Sequence, residues 1–186
     1  MTATVHRIGL DRETVVAAVL RLAAQHGVVN VTMRAIASEL GVAAPSLYHH
    51  LPSKQSILDL AAEEVLASIE IGPTTGTWEQ RLRRQYGNAR RQLLSIPGIA
   101  TVLQTRPLSM AGRAQEEASR RILIDAGFAP SEIDDIHSLL YTHLLGSVSL
   151  EHNTVAAGVK PASSAKAYQY GLSVILSGLV AQRGAL

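Results

Sequence analysis

Residues 32–54 read TMRAIASELGVAAPSLYHHLPSK, and this stretch decides the fold. Thr32 is a favourable N-cap for a short helix, and Gly41 ends that helix because glycine readily adopts the left-handed conformation found after helices. Pro45 suits the first turn of a second short helix, where its missing N–H costs nothing. Two short helices joined by a tight glycine turn predict a helix-turn-helix over about residues 33–52.

Helical periodicity continues on both sides of this motif, and no window alternates for long enough to be a strand. We therefore predict an all-α chain of about nine helices, over residues 11–26, 33–40, 46–51, 54–70, 77–95, a short segment before 106, 109–126, 131–151 and 163–183. The breaker-rich residues 71–76 are the clearest linker, and residues 153–161 are expected to form a loop. We place the unit that holds the helix-turn-helix at 1–53, a connecting helix at 54–70, and a second helical unit at 71–186.

The composition narrows the class of protein. The 186 residues are 47% hydrophobic and 17% charged, which is typical of a globular chain rather than a disordered one. The absence of cysteine excludes disulfides, cysteine-based zinc sites and thiol nucleophiles. The most apolar stretch, 171–180, is shorter than the roughly 20 residues that cross a bilayer. We expect a cytoplasmic protein with no membrane segment.

The second helix of the motif is small and polar on its outer side. A helix of this width fits the major groove of B-DNA, where side chains near its N-terminal end meet the base edges. A hydroxyl group at Thr32 and an ammonium group at Lys54 are suited to phosphate contacts. The net charge of +2 adds no argument for nucleic acid, so the prediction depends on this local pattern.

Three stretches, LDRETV at 10–15, VTMR at 31–34 and ELGVAAPSLYHH at 39–50, resemble the tetracycline-repressor (TetR) family of bacterial regulators. The resemblance covers about the first sixty residues. It implies that the second and third helices read DNA and that the fourth links them to an effector-binding core. The residues that it implies for DNA binding are Thr32, Arg34, Pro45, Ser46, Tyr48, His49, His50 and Lys54.

The second helical unit is similar, more weakly, to the tetracycline-repressor subgroup of that family. The similarity lies in Trp78, the Thr-Arg-Pro turn at 105–107, and the sequences AGF at 126–128 and LG at 145–146. The subgroup's metal-coordinating histidine corresponds here to Val102, and its ring-contacting asparagine and phenylalanine correspond to Gln85 and Ala89. The resemblance therefore implies an effector other than a magnesium–tetracycline chelate.

We predict a small, mostly apolar effector inside this second unit, because apolar walls with a few polar anchors are typical of ligand pockets. The candidate contacts are Gln85, Tyr86, Ala89, Val102, Thr105, Tyr141 and His143. The alternative is that the same residues fill a solid core. No metal or cofactor is predicted, because the histidines at 137, 143 and 152 are not spaced to share a helical turn.

We also predict a homodimer, because the last helix carries apolar residues too widely around its circumference for burial on one side. The helices over 131–151 and 163–183 of the two copies would together form a four-helix bundle. A twofold dimer predicts an inverted-repeat operator on double-stranded DNA. Two functions stay open: a ligand-responsive repressor, or a small helical enzyme or ligand-binding module that uses the helix-turn-helix as scaffold.

Overall fold

The computed structural model describes residues 11–72, 74–158 and 164–184, and over these ranges the chain forms nine α-helices and no strand. The predicted helix start at Ser163 and the first ten residues lie outside the described ranges. The helices are α1 (Arg12–His26), α2 (Met33–Leu40), α3 (Ala44–Leu47), α4 (Lys54–Ala67), α5 (Trp78–Leu94), α6 (Ile99–Thr105), α7 (Met110–Asp125), α8 (Pro130–Ala156) and α9 (Ser164–Gly184).

The first half of the helix-turn-helix forms as the sequence predicts. The Thr32 hydroxyl accepts a hydrogen bond from the Ala35 N–H at 3.2 Å and caps α2. Gly41 ends α2 in the left-handed conformation with φ +65°, and its N–H donates to the Ala37 carbonyl. This geometry lets the chain reverse within three residues before α3.

The prediction for the second half was wrong in its bounds. We expected a helix over 46–51, whereas α3 begins at Ala44 and ends at Leu47, and residues 48–50 form turns. Pro45 in the first turn moves the start forward. Pro52 restricts the residue before it to extended conformations, so the helix cannot continue to Leu51.

Helix α4 begins as predicted but ends three residues early, at Ala67 rather than Glu70. Ser53 caps its start, and its hydroxyl accepts a hydrogen bond from the Ser56 N–H at 3.2 Å. At the other end the Ser68 hydroxyl donates to the Val65 carbonyl at 2.7 Å. A serine that satisfies a backbone carbonyl in this way competes with the next turn of helix.

Helix α8 is longer than predicted at both ends. Pro130 occupies its first turn, and the Ala129 N–H donates to the Glu132 carboxylate at 3.0 Å, so the helix does not wait for Ser131. Its C-terminal end reaches Ala156, inside the expected loop 153–161. The residue that ends the helix is Gly158, with φ +71°.

One continuous core of apolar side chains joins all the helices, and the very short α3 contributes Leu47 to it, with Ala44 packed alongside. The helix-turn-helix is attached to the rest of the chain at two places. Helix α4 packs against α1, α6 and α7, and the Val28 N–H donates to the Pro97 carbonyl at 2.9 Å. A displacement in the second unit therefore has a direct mechanical route to the first.

None of the helices in the described ranges has the length and apolar character that crossing a membrane requires.

Candidate functional site

The structure exposes every residue predicted to contact DNA. All eight side chains lie on the surface, and the Tyr48 side chain is 52% exposed. Between them, Ile36, Leu47 and Leu51 point inward and are almost completely buried. The motif thus separates an apolar side that holds the fold from a polar side that is free to meet a partner.

Two of these residues already make hydrogen bonds within the chain. The Thr32 oxygen caps α2, which leaves its hydroxyl hydrogen available to a phosphate oxygen. The Lys54 ammonium donates to the Val29 carbonyl at 2.6 Å and retains two further N–H donors. Both groups are therefore held at the edge of the motif rather than free to rotate into solvent.

The charge on this surface favours an anion. Glu39, the acidic residue of α2, pairs with Arg21 of α1 at 3.0 Å. Arg34 has no ion-pair partner in the described ranges, so its guanidinium is available to a phosphate group. Because Glu39 is neutralised by its ion pair while Arg34 and Lys54 are exposed, this surface attracts the phosphate groups that would position the protein on DNA.

A cavity of about 230 Å³ lies in the second unit, bounded by α4, α5, α6, α7 and α8. Its walls are mainly apolar and include five leucines, with Gln85, Gln115, Glu116, His137 and Tyr141 among the polar groups. The residues around it are Leu66, Ile69, Gln85, Tyr86, Ala89, Leu93, Leu103, Leu108, Gly112, Gln115, Glu116, His137, Tyr141 and Leu144. Its predominantly apolar lining with a few polar groups is the usual composition of a small-molecule pocket.

Four of the seven residues predicted for the effector line this cavity: Gln85, Tyr86, Ala89 and Tyr141. The other three do not. Val102 is buried in the core and does not line the cavity, although its neighbour Leu103 does, and the Thr105 hydroxyl donates to the Thr101 carbonyl. His143 stacks on Tyr168 with ring centroids 4.9 Å apart, so it joins α8 to α9.

Sequence reasoning placed the effector among the helices that begin near Trp78, Pro97, Ser109 and Ser131, but it missed α4 and named no residue of α7. Leu66 and Ile69 come from α4 and the residues just after it, and Gln115 and Glu116 come from α7. His137 was considered only as a metal ligand. Its position four residues before Tyr141 places both rings on one face of α8, which is the signal that connects it to the cavity.

Three polar groups meet inside this region. The Tyr86 hydroxyl lies 3.1 Å from the Ser119 hydroxyl and 3.3 Å from Nδ1 of His137. Burial lowers the pKa of His137, although the Glu116 carboxylate opposes this effect, so the imidazole is mainly neutral at neutral pH. Burial also raises the pKa values of Tyr86 and Tyr141. The groups act as neutral hydrogen-bonding anchors.

Two of the polar contacts that tie α4 to the cavity wall involve charged side chains of α4. Arg106, at the end of α6, forms an ion pair with Asp59. The Glu63 carboxylate accepts the Ala111 N–H at 3.0 Å, at the start of α7. Because α4 follows directly after the helix-turn-helix, these contacts connect the segment that would meet DNA with the segment that lines the cavity.

The three histidines considered for metal binding lie in different surroundings. His137 is at the cavity, His143 is on Tyr168, and His152 lies 3.2 Å from the Leu94 carbonyl. No group of three or more potential metal-ligating side chains occurs in the ranges that the structure describes.

Comparisons with known proteins match both units. The family model "Bacterial regulatory proteins, tetR family" matches residues 15–61, and "Tetracyclin repressor-like, C-terminal domain" matches residues 72–169. An HTH-type transcriptional regulator from Saccharopolyspora erythraea is 31% identical over 144 residues, which are 76% of this chain and 61% of that protein. The class D tetracycline repressor from Escherichia coli is 36% identical, and the match spans only 47% of its length.

Other matches extend over nearly the whole chain. The class E tetracycline repressor from Escherichia coli is 28% identical over 95% of this chain and 92% of its own. Among solved structures, a glutamine-to-alanine variant of TetR from Acinetobacter baumannii, in complex with minocycline, has a TM-score of 0.82. It is 26% identical to this chain and covers 94% of it and 98% of its own chain.

Proposed function

We propose that this chain, which belongs to the tetR family of bacterial regulatory proteins, is a sequence-specific transcriptional repressor that a small-molecule effector releases from DNA. The observation that carries the proposal is the position of α4. It begins immediately after the exposed helix-turn-helix and contributes Leu66 to the wall of the cavity. A repressor that an effector releases from DNA needs an element of this kind, whose position depends on both the bound DNA and the bound effector.

We assign DNA binding to residues 1–53 together with the connecting helix over 54–70, and effector binding and dimerisation to residues 71–186. The turn that separates α4 from α5 supports this division. Thr32, Arg34 and Lys54 are assigned to phosphates. The remaining five assigned residues, Pro45, Ser46, Tyr48, His49 and His50, are placed in the major groove, where Tyr48 and His49 reach base edges or thymine methyl groups.

The chain acts as a homodimer in this proposal. Helices α8 and α9 expose large apolar side chains that a monomer has no reason to leave in water, namely Leu139, Leu150, Tyr170, Val174 and Val180. A twofold interface between copies would cover them and would present two identical recognition helices. The operator is accordingly an inverted repeat, with half-sites roughly 34–36 Å apart or somewhat further.

Effector binding changes the preferred position of α4. A ligand in the cavity contacts Leu66 directly, and it also moves the α6–α7 turn, which holds α4 through the Arg106–Asp59 and Glu63–Ala111 contacts. If the ligand favours an arrangement in which the two recognition helices no longer fit successive grooves, DNA affinity falls. Coupling of this kind is typically about 1–3 kcal/mol, or about 5–150-fold.

The proposal includes no catalysis and places the protein in the cytoplasm with its DNA. The relatives are transcriptional regulators, which supports a binding function. The alternative of an enzyme that uses the helix-turn-helix as scaffold gains no support from the Tyr86, Ser119 and His137 cluster, because no carboxylate of the described residues lies within hydrogen-bonding distance of this imidazole.

Selection from a pool of random duplexes tests the proposal, and it requires no assumption about the operator sequence. The intact protein is incubated with the pool, bound duplexes are recovered and amplified, and the enriched sequences are read. We expect one inverted repeat to dominate after a few rounds. Enrichment of no sequence, or of a site without twofold symmetry, would overturn the assignment of a dimeric, sequence-specific DNA-binding protein.

A further inference from the structure

The formal charge in the lining of the cavity is negative. Among the residues that the structure describes, Glu116 of α7 is the one acidic residue in the lining, and neither lysine nor arginine lines the cavity. Of the other titratable groups in this wall, His137 is kept mainly neutral because burial lowers its pKa, and Tyr86 and Tyr141 are neutral because burial raises theirs. A buried anion would therefore find no cationic partner here, and the cost of removing it from water would be uncompensated.

The charge on Glu116 is only partly balanced by its neighbour. Arg120 lies 3.6 Å from the Glu116 carboxylate, one turn further along α7, and it also forms a closer ion pair with Asp134 of α8. One guanidinium is thus shared between two carboxylates. Net negative charge stays at this side of the cavity.

The other polar groups in this wall are also electron-rich. The side-chain nitrogen of Gln85 donates to the Gln115 carbonyl, and that of Gln115 donates to the Leu66 and Ile69 carbonyls. These carbonyl partners fix the orientation of both amides, since only the nitrogen can donate. Neither side-chain oxygen has a hydrogen-bond partner in the part of the chain that the structure describes. Their dipoles add to the negative potential around the cavity.

Aromatic rings complete the site. His137 and Tyr141 stack with ring centroids 5.9 Å apart on α8, and Tyr86 of α5 lies beside them. The faces of aromatic rings attract cations, and a carboxylate beside such rings is the usual surroundings of a bound ammonium group. Apolar walls, aromatic rings and one partly balanced carboxylate together define a site for an apolar molecule with a positive charge.

We propose that the cavity selects a hydrophobic cation, with its apolar body against the leucine walls and its positive group beside Glu116. This inference rests on the proposed function, because it names the chemical class of the effector at that same site. It excludes carboxylate and phosphate ligands, and it ranks a cation above a neutral molecule of the same shape.

A pair of compounds that differ only in charge tests the inference. Phenyltrimethylammonium and tert-butylbenzene have the same shape, since a positively charged nitrogen replaces the central carbon of the butyl group. Calorimetric titration of the intact protein without DNA gives both affinities, with the neutral compound used up to its solubility limit. We expect the cation to bind at least about tenfold more tightly, which corresponds to about 1.4 kcal/mol.

Two glutamate variants show whether the preference comes from the cavity. In Glu116→Gln the preference should fall to within about twofold, because the amide keeps the shape and loses the charge. Glu117→Gln is the matched control: it removes the same charge from the next residue of α7, which does not line the cavity. This control should retain the full preference.

The outcomes separate the inference from the function on which it rests. Equal affinities for the two compounds, no binding of the cation at millimolar concentration, or equal losses in the two variants would each overturn the cation inference. Operator binding is then measured with the cation present. A cation that binds with the expected preference and leaves operator affinity unchanged supports the charge selection and contradicts the coupling to DNA.

Discussion

Replacing Glu63 by glutamine is expected to loosen α4 from the ligand-binding unit. The Glu63 carboxylate accepts the Ala111 N–H with oxygen–nitrogen distances of 3.0 and 3.2 Å at the N-terminus of α7. The hydrogen bond from the Ser109 side chain, followed by that from the Ala111 N–H, holds the pKa of Glu63 below its ordinary value. The folded protein therefore stabilises the charged form of this side chain.

The size of the effect follows from what glutamine keeps and loses. Its amide oxygen can still accept the Ala111 N–H, so the substitution removes only the contribution of the charge to that hydrogen bond, about 1 kcal/mol. It also removes the interaction of a carboxylate with the dipole of α7, about 0.3–1 kcal/mol. The two losses together should lower the free energy of unfolding by about 1–2 kcal/mol, which lowers Tm by about 2–8 °C in a chain of this size.

The pH dependence of this loss has a defined sign. Because the pKa of Glu63 is lowered on folding, its contribution to stability is fully present above the unfolded pKa and is lost as the pH falls through the folded pKa. The difference between the native protein and Glu63→Gln should thus be largest near neutral pH. It should shrink as the solution is acidified below about pH 4.5.

Urea unfolding at equal protein concentrations, from neutral pH down to pH 4, measures this difference. Glu64→Gln is the control, since the adjacent Glu64 pairs at 3.0 Å with Arg12, whose side chain is 70% exposed, and such surface pairs contribute about 0–1 kcal/mol. The reasoning is refuted if Glu63→Gln is no less stable than Glu64→Gln, or if its deficit is unchanged at low pH.

Three further predictions concern the other parts of the account. Replacing Lys54 by alanine should weaken binding to all duplexes alike and reduce the slope of log affinity against log salt concentration by about one. Replacing His49 should instead relax the preference at one base pair of each half-site. Anisotropy titrations across salt concentrations and duplex sequences distinguish the two effects. Val174→Asp should convert the dimer to monomer in sedimentation, because it places charges against an apolar interface at a side chain that is 53% exposed in the single chain. Gly41→Ala should cost about 1–2 kcal/mol in urea unfolding, because the backbone there has φ +65° although space for a methyl group is open.

The fold could be predicted from the sequence because its signals are local. Thr32 and Gly41 bound α2, and the Thr77–Gln80 capping box starts α5, with side chain and backbone exchanging hydrogen bonds at 3.2 and 3.4 Å. The errors arose where two local signals compete. Pro45 and Pro52 both act on α3, and in α8 the polar Asn153 suggested a loop although the helix continues to Ala156, before Gly158.

The cavity could be predicted only in part. In α5, Tyr86 and Ala89 were found because they lie on the face predicted to point to the core, whereas Gln85 was found through the resemblance to the tetracycline-repressor subgroup. Glu116 could not be found, because nothing in its own helix shows that α7 turns this side towards α5 and α8. His143 was assigned to the effector on residue type, but close packing against Gly171 and Tyr168 places its ring between α8 and α9.

The affinity of the intact protein for its selected inverted repeat, compared with a scrambled duplex of the same length and composition, tests the central claim most directly. Both titrations are made at the same salt concentration, because the phosphate contribution depends strongly on it. The account predicts binding to the inverted repeat tighter by about 10³-fold or more. Equal affinity for the two duplexes would contradict it, since Tyr48 and His49 would then contribute no reading of bases.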